Sequence, residues 1–451
     1  MLSKIISVCC AKDMRAWKVA AARLPKCIEA LKYEVIVPDH EVAIFKAESP
    51  AIFSVLPESF YLGKYTLSWL QDRFPPLLSG RAGWYLQQFI KIEAARRAGL
   101  NQNCLIWDAD TVPIKKIHFE DPDGRLLYYK GNYRPPIHEP YFDLIKSVLG
   151  IPRLGENSYI AQCFAFRTNW VEDMCSTIEQ KFSATSWIEV VVDHIDHSKG
   201  GCGFSEYETL GTFFSHKYAN EIKFIDRQFF RHGTQLVGNP ENIDLAAWAG
   251  LAEIVDFVAF EVYETGVYRG LHIGCGNTRI ENTLQGNLVL NTDIMECPEI
   301  DLLLDVEKAL PFPPNQFEHV IALNILEHVN DIMFVMQEID RCLQVGGIIQ
   351  IEVPFIGSYN HGTDVTHIRG LTFDSFNFLL DDNRNYLYRN PKTRCFNYQL
   401  TAFFRENIVD DILTREYLPA IPPRGSYSDW IEKVNKFQIP GTFGMIWQKL
   451  S

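Results

Sequence analysis

The sequence predicts an α/β protein of two domains, and two observations carry that reading. Apolar, strand-like runs alternate with helix-forming stretches twice along the 451 residues, once on each side of a point near residue 240. Each series also places a polar motif directly after an apolar run, where α/β sheets gather ligands. Size agrees, since roughly 100–200 residues per domain allow two to four. With 47% hydrophobic and 22% charged residues, a disordered or fibrous chain is excluded.

The elements follow in order. Residues 5–10 and 34–37 read as strands separated by a helical stretch. A helix is expected over 83–98, stopped by Gly99, and then a fully apolar strand over 104–107. Residues 121–155 and 199–203 read as irregular chain, rich in Pro and Gly. The apolar run 245–263 carries Glu253, Asp256 and Glu261, so it reads as an amphipathic helix and not as a membrane span. Strands over 271–273, 288–290, 320–323 and 348–353, with a helix near 330–343, complete the second series. The expected organisation is a domain over 1–240, a helical linker over 241–265 and a domain over 266–451.

Charge and cysteine usage narrow the setting. A net charge of -13, from 43 basic and 56 acidic residues, gives no global attraction for nucleic acid, and none is expected as a partner. No apolar run reaches the roughly 18 residues of a membrane helix. The apolar N-terminus meets Lys12, Asp13 and Arg15 at once, unlike a secretory leader. A cytoplasmic location is expected; peripheral membrane association and oligomeric state stay open. The 11 cysteines include no C-x-x-C pair and read as reduced, mostly buried thiols.

The first polar motif is Asp108-Ala109-Asp110, after the apolar run Leu105-Ile106-Trp107. In extended chain, positions i and i+2 face one way, so both carboxylates can address one site. Hard oxygen ligands suit Mg²⁺ or Mn²⁺ on a diphosphate. Alone, the pair equally fits a strand-end cap. Around it stand Trp84, Gln87, Gln88 and Lys91 of the expected helix, the segment Ser205-Glu206-Tyr207-Glu208, and Arg231-His232. Together these resemble GT-A-type nucleotide-sugar glycosyltransferases, and most closely a bacterial group with W-x-x-Q-Q-x-x-K, D-x-D and S-E-Y-E segments. The resemblance covers about 230 residues. It implies a nucleotide-sugar donor and a divalent ion on Asp108 and Asp110, with His232 as a third ligand. It also implies Asp13, Gln88 and Lys91 near the nucleotide, and Glu206 or Glu208 as general base or acceptor holder. Asp13 equally fits a helix N-cap. The cluster Asp193-His194-Ile195-Asp196-His197 fits no closed metal site and reads as a polar loop.

The second motif is Leu271-His272-Ile273-Gly274-Cys275-Gly276, with Asp293 seventeen residues beyond Gly276. Glycines let the backbone turn tightly against a ligand, and the acid can accept bonds from ribose hydroxyls. A nicotinamide site shares this skeleton, but Arg279 stands where G-x-G-x-x-G needs its third glycine. Further on come Asp305, Leu310-Pro311-Phe312, Asn324-Ile325-Leu326-Glu327-His328 and Gly346-Gly347. The whole series resembles class I S-adenosylmethionine-dependent methyltransferases. The resemblance implies a Rossmann-like domain with His272, Gly274, Cys275, Gly276, Asp293, Asp305 and Asn324 around the cofactor. His272 replaces an acid common in such enzymes, and Glu318 an aspartate. Methyl transfer to a hydroxyl needs a proton acceptor, for which His328, His361 and His367 are candidates.

The combined expectation is a bifunctional enzyme of surface polysaccharide biosynthesis. One domain would transfer a sugar to a glycan or lipid-linked glycan, and the other would methylate a glycan hydroxyl. The alternative is that one domain only binds or scaffolds.

Overall fold

The computed structural model describes residues 1–372 (apart from 132, 135, 200, 201, 245 and 284), 375, 376, 379, 396–409, 412–418 and 442–450. The chain divides into two compact units, Met1–Asn242 with Val255–Glu264, and Ile243–Ile254 with Thr265–Ser451.

The first unit starts its sheet from the middle. Strand β1 (Lys4–Val8) pairs in parallel with β2 (Tyr33–Val37), which pairs with β3 (Phe53–Pro57). On the other side of β1 lies β4 (Asn103–Trp107), also parallel. Strands β5 (Thr111–Pro113) and β6 (Leu126–Tyr129) precede β7 (Cys163–Arg167), which closes the edge antiparallel to β4. Residues of β1, β2 and β4 are almost all buried, as expected of a parallel sheet covered on both faces. Strand β8 (Ile222–Ile225) pairs with β6, while β9 (Gln228–Phe230) and β10 (Val255–Ala259) join β5 in a small sheet. This is a mixed α/β sheet consistent with the GT-A-like fold.

Two expectations need correction here. The linker over 241–265 is not one helix: Ala249–Ile254 is a short helix of the second unit, and Val255–Ala259 is strand β10 of the first. Val255, Phe257, Val258 and Ala259 are buried, and so is Asp256, which the helical reading placed on a wet face. Asp256 is partnered instead, by Lys115 at 2.8 Å and by the Tyr129 hydroxyl. A short apolar run has no periodicity that separates a buried strand from a helix. The stretch 121–155, read as irregular, also holds regular structure: β6 and a helix over Glu139–Leu149. Pro140 sits in that helix's first turn, where it is tolerated, and Gly150 ends it at φ +78.

The second unit repeats the principle. Strands β11 (Tyr268–Ile273), β12 (Leu288–Asp293), β13 (Leu302–Leu303), β14 (Phe317–Leu323) and β15 (Leu343–Pro354) are parallel in the order β13-β12-β11-β14-β15. Strands β16 (Tyr398–Val409), β17 (Ile412–Leu418) and β18 (Thr442–Lys449) extend the edge in antiparallel fashion as β15-β18-β16-β17. This is a Rossmann-like sheet with an antiparallel end. The helix Ile332–Cys342 buries Val335, Met336, Ile339 and Cys342 along one stripe, and the Asp331 carboxylate caps it by accepting from the Phe334 N–H at 3.0 Å. The ten described cysteines are all free. No described helix is long and apolar enough to cross a membrane.

Trp107, the last residue of β4, anchors the strand that leads into the aspartate pair. It is fully buried, lies edge-on to Phe257 at 5.1 Å, and donates its indole N–H to the Thr111 carbonyl at 2.8 Å. Trp107→Ala should destabilise the first unit by about 3–5 kcal/mol. Urea unfolding followed by near-ultraviolet circular dichroism measures this, and an unshifted midpoint would contradict the anchoring role.

Candidate active sites

In the first unit, β1 and β4 are neighbours whose successors leave in opposite directions, so a crevice opens at their carboxyl ends. Asp13 follows β1 and Asp108 follows β4. The chain is not extended through Asp108-Ala109-Asp110: it turns, with the Thr111 N–H bonded to the Asp108 carbonyl at 3.1 Å. The two carboxylates therefore do different things.

Asp108 Oδ1 accepts from Lys91 Nζ at 2.6 Å and from the Tyr207 hydroxyl at 2.5 Å. The same ammonium reaches Glu206 Oε1 at 2.6 Å and lies 4.8 Å from the Tyr207 ring centroid. Burial works against the charge on Lys91, but Asp108 and Glu206 outweigh it and raise its pKa. Gln88, one turn before on the same helix, accepts from the Glu206 N–H at 3.0 Å and fixes the start of the helix Glu206–Lys217. Asp110 has no such cation. Burial, then the charges of Asp108, Glu261 and Asp13, hold its pKa well above the usual range. Asp13 is raised as well, by burial first and by Glu261 and Asp108. It stands at a helix N-cap position without making the side-chain cap bond, which leaves its carboxylate to this acidic group.

His232 forms a β-bridge with Phe260, whose N–H bonds the Asp110 carbonyl at 2.9 Å, but its ring is engaged by another acid. Its Nδ1 is 2.6 Å from Glu264 Oε1, and among the described residues it does not group with Asp108 and Asp110 at ligand spacing. Glu208 is fully buried and accepts from the Ser158 hydroxyl, with Oε2 unpartnered; burial pushes its pKa up to about 7. It lies within the helix packing, whereas Glu206 belongs to the Lys91 cluster. The segment Asp193–His197 spans the end of the helix Trp187–His194 and the bend after it, where Asp196 caps Ser198 and His194 bonds the Val190 carbonyl. Residues 200 and 201 of the expected irregular segment lie outside the described residues.

Two participants escaped the sequence reading. Tyr207 sits between the glutamates that drew notice. Glu261, bonded by Gln162 at 3.0 Å and Arg231 at 2.7 Å, was assigned to a solvated helix face. Its position two residues after a buried β-run was the available signal.

In the second unit the crevice lies at β11, between β12 and β14. Gly274 and Gly276 adopt φ +62 and +51, a region costly for other residues. Asp293, at the end of β12, accepts from the Gly276 N–H at 2.8 Å and from the Met295 N–H at 2.9 Å, so it shapes the turn directly. A Cβ on Gly274 would meet Ile325 at 2.7 Å, while one on Gly276 would meet nothing within 4 Å. The turn is thus closed on one side by the loop after β14 and open on the other. His272 is buried below it, bonded through Nδ1 to Asn291 at 3.1 Å, and burial lowers its pKa. Cys275 is buried, with its N–H on the Thr292 carbonyl at 3.0 Å. Asp305 is half-buried, accepts from the Glu307 N–H at 3.0 Å and lies 3.3 Å from Lys308. Asn324 is exposed at φ +52, with its N–H on the Glu352 carbonyl at 2.7 Å.

The three candidate histidines lie in a row, with the rings of His361 and His367 5.6 Å apart. His361 donates from Nε2 to the Arg369 carbonyl at 3.3 Å. His328 and His367 meet with ring centroids 4.7 Å apart, beside Glu327. Glu327 is 1% exposed, both its oxygens lack a hydrogen-bond partner, and burial pushes its pKa up to about 7. It was read only as part of a motif, because nothing in the sequence told its burial.

Comparison with known proteins agrees with this division. Residues 271–351 match a family model described as a methyltransferase domain. Residues 25–242 match a family of unknown function (DUF6492). No curated protein matches the chain. A SAM-dependent methyltransferase from Archaeoglobus fulgidus is 21% identical, covering 40% of this chain and 86% of its own, with a TM-score of 0.28. A possible histamine N-methyltransferase from Thermotoga maritima is 13% identical over 42% and 84%, with a TM-score of 0.26. The apo form of mouse xyloside xylosyltransferase 1 is 9% identical over 58% and 98%, with a TM-score of 0.30. The second unit carries a methyltransferase domain, for which S-adenosylmethionine is the cofactor. The open glycine turn and its acid fit such a ligand.

Glu208 offers a test of the first unit's electrostatics. Its folded pKa is about 7 against an ordinary 4.5, so the folded chain keeps a proton that the unfolded chain has lost between those values. Stability contributed at this residue therefore falls as pH rises through that window. Glu208→Gln should gain on the wild type from pH 4.5 to 7 by on the order of 2–3 kcal/mol, then level off. Urea unfolding at stepped pH checks the sign; a gain that shrinks as pH rises would refute it.

Proposed function

We propose that the chain is a two-activity transferase. Its second unit methylates a hydroxyl of a glycan, and its first unit transfers a sugar from a nucleotide-sugar donor to the same class of acceptor. The observation that carries the methyl-transfer reading is the turn built by Gly274, Gly276 and Asp293 at the β11 crevice. S-adenosylmethionine, when bound, supplies an already activated methyl group, so the protein's tasks are to position the acceptor and take one proton. Gly276 would let the cofactor approach the backbone and Asp293 would hold its ribose, with Asp305 and Asn324 on loops nearby. The loop after β14 packs on Gly274 through Ile325 and carries Glu327 and His328, so the proton-handling groups lie on the segment nearest the turn. Of the three histidines, His328 and His367 are the two that meet beside Glu327, and they are the first candidates for that task.

For the first unit, the acidic group of Asp13, Asp108, Asp110 and Glu261 supports a cation-assisted reading. Its donors are hard oxygens, which fit Mg²⁺ or Mn²⁺; Lys91 pairs with Asp108 and Arg231 with Glu261, while Asp110 has no direct cation of its own. Asp110 and the free oxygen of Asp108 would hold the ion, which would neutralise a departing diphosphate. Lys91 fixes Asp108 and Glu206 in place. A second reading, in which this unit binds a nucleotide sugar without turnover, is favoured by the engagement of Asp108 Oδ1 by both Lys91 and Tyr207. Surface polysaccharide assembly in the cytoplasm is the setting these two chemistries share.

Two measurements test the reading, both on the full chain because β10 lies beyond residue 242. Calorimetry should detect S-adenosylmethionine, and Asp293→Ala should weaken it by roughly 10-fold or more, since a hydrogen bond to a charged group is worth about 1.5–3 kcal/mol. Binding of a nicotinamide dinucleotide in its place would overturn the assignment. Asp110→Asn should abolish metal-stimulated hydrolysis of nucleotide sugars and leave S-adenosylmethionine binding intact. Hydrolysis surviving both this substitution and a chelator would remove the ion from the first unit's chemistry.

A further inference from the structure

Glu327, His328 and His367 offer ligand atoms that all lie within 4.8 Å of one another, the one such group among the described residues. We propose that these three side chains bind a divalent transition-metal ion, Zn²⁺ foremost, beside the methyl-donor turn. The proposal rests on the methyltransferase reading for what the ion does, though not for whether it binds.

Three features point to an ion. The first is the state of the histidines. His367 Nδ1 is 2.9 Å from the His361 carbonyl, which can only accept, so the proton sits on Nδ1 and Nε2 carries a lone pair. Thr366 spends its hydroxyl proton on Asp364 Oδ1 at 2.6 Å, so its oxygen accepts from His328 Nδ1 at 3.0 Å, and that ring also keeps a bare Nε2. Metal-bound histidines are oriented in this way, by a carbonyl or a carboxylate acting on the other nitrogen. The second is Glu327, a buried carboxylate whose two oxygens have no hydrogen-bond partner. Buried polar groups are seldom left so, and a coordinated cation supplies what is missing. The third is the backbone: the Ile368 N–H bonds the Glu327 carbonyl at 3.1 Å, and Arg369 bonds the Val329 and Asn330 carbonyls at 2.5 and 2.7 Å. Two segments forty residues apart are thereby fixed with their ligands facing each other.

Two imidazoles and one carboxylate form the three-ligand set of a catalytic zinc site, which leaves a position open. His367 Nε2 is 3.8 Å from Glu327 Oε1, a spacing that a shared ion can bridge, and Asp364 Oδ2 stands 3.8 Å from the same nitrogen, outside the ligand set. An acceptor hydroxyl entering the open position would be acidified there, with Asp364 at hand for its proton. With the ion bound, His328 and His367 would act as its ligands, and the proton-accepting role given to them above belongs to the ion-free site.

The test uses the full chain stripped by chelator and titrated with Co²⁺, read by visible absorption and calorimetry, with Zn²⁺ as competitor. One equivalent should bind with a ligand-field band and be displaced by Zn²⁺. His367→Ala, His328→Ala and Glu327→Gln should each weaken it by at least about 100-fold, more than loss of an outer partner costs. Thermal melting and S-adenosylmethionine calorimetry on each variant report folding independently. Wild-type Co²⁺ affinity in folded His328→Ala and His367→Ala would overturn the site, as would the lack of stoichiometric binding in a protein that binds S-adenosylmethionine. Site-dependent Co²⁺ binding without S-adenosylmethionine binding would keep the ion and remove the methyltransferase reading.

Discussion

Both sites depend on one topological constraint. A parallel sheet that begins in its middle must send its next strands to one side and later strands to the other. The connections then part above the first strand and leave a crevice that no side chain of the sheet itself fills. In the first unit this happens at β1 and β4, and in the second at β11 and β14. Asp13, Asp108, Gly274 and Asp293 stand where the chain leaves these central strands or their neighbours. Their roles follow from that placement more than from residue type.

Inside the first crevice the arrangement is governed by a buried ammonium. Lys91 is 4% exposed and lies on a helix whose other buried residues are mostly apolar, so its charge is tolerable only because Asp108 and Glu206 both reach it. Removing one member of such a group leaves an uncompensated buried charge, which costs about 3–5 kcal/mol. The cluster therefore ties the helix Ala82–Arg96, the end of β4 and the helix Glu206–Lys217 into one unit of geometry. Asp110, outside that neutralised group, meets burial and like charge, which favour its proton. Two adjacent carboxylates of one motif thus divide into a structural and an electrostatic role.

The central strands and the glycine turn were legible in the sequence because their signals are local. Apolar runs ending in Asp108 or Gly274 and the stop at Gly99 are each contained within a few residues. What escaped depends on distant partners. Asp256 looked like the wet face of a helix because Tyr129 and Lys115, which satisfy it, are more than a hundred residues away. The Glu264 partner of His232 was equally hidden, because it belongs to a segment read as linker. The extended-chain argument for Asp108 and Asp110 failed at a turn whose hydrogen bond no pattern of residue types announces. The antiparallel end of the second sheet went unread for a related reason, since β16 and β18 are joined by register across some forty residues.

The glycine turn also shows a requirement that a motif alone understates. Gly274 is usually explained by the ligand it lets approach, but here its missing Cβ makes room for Ile325. That contact brings the loop after β14 down onto the turn. The loop pays for the approach with Asn324 at φ +52, a conformation asparagine tolerates better than most residues. Two residues beyond Ile325 stands Glu327, whose burial is a consequence of the same descent. A methyl group at position 274 would therefore act at a distance: it would lift Ile325, open the loop and expose the carboxylate. Cofactor turn and acceptor-side carboxylate are coupled through one side chain, and the first glycine of the motif serves the packing of that loop as much as the ligand.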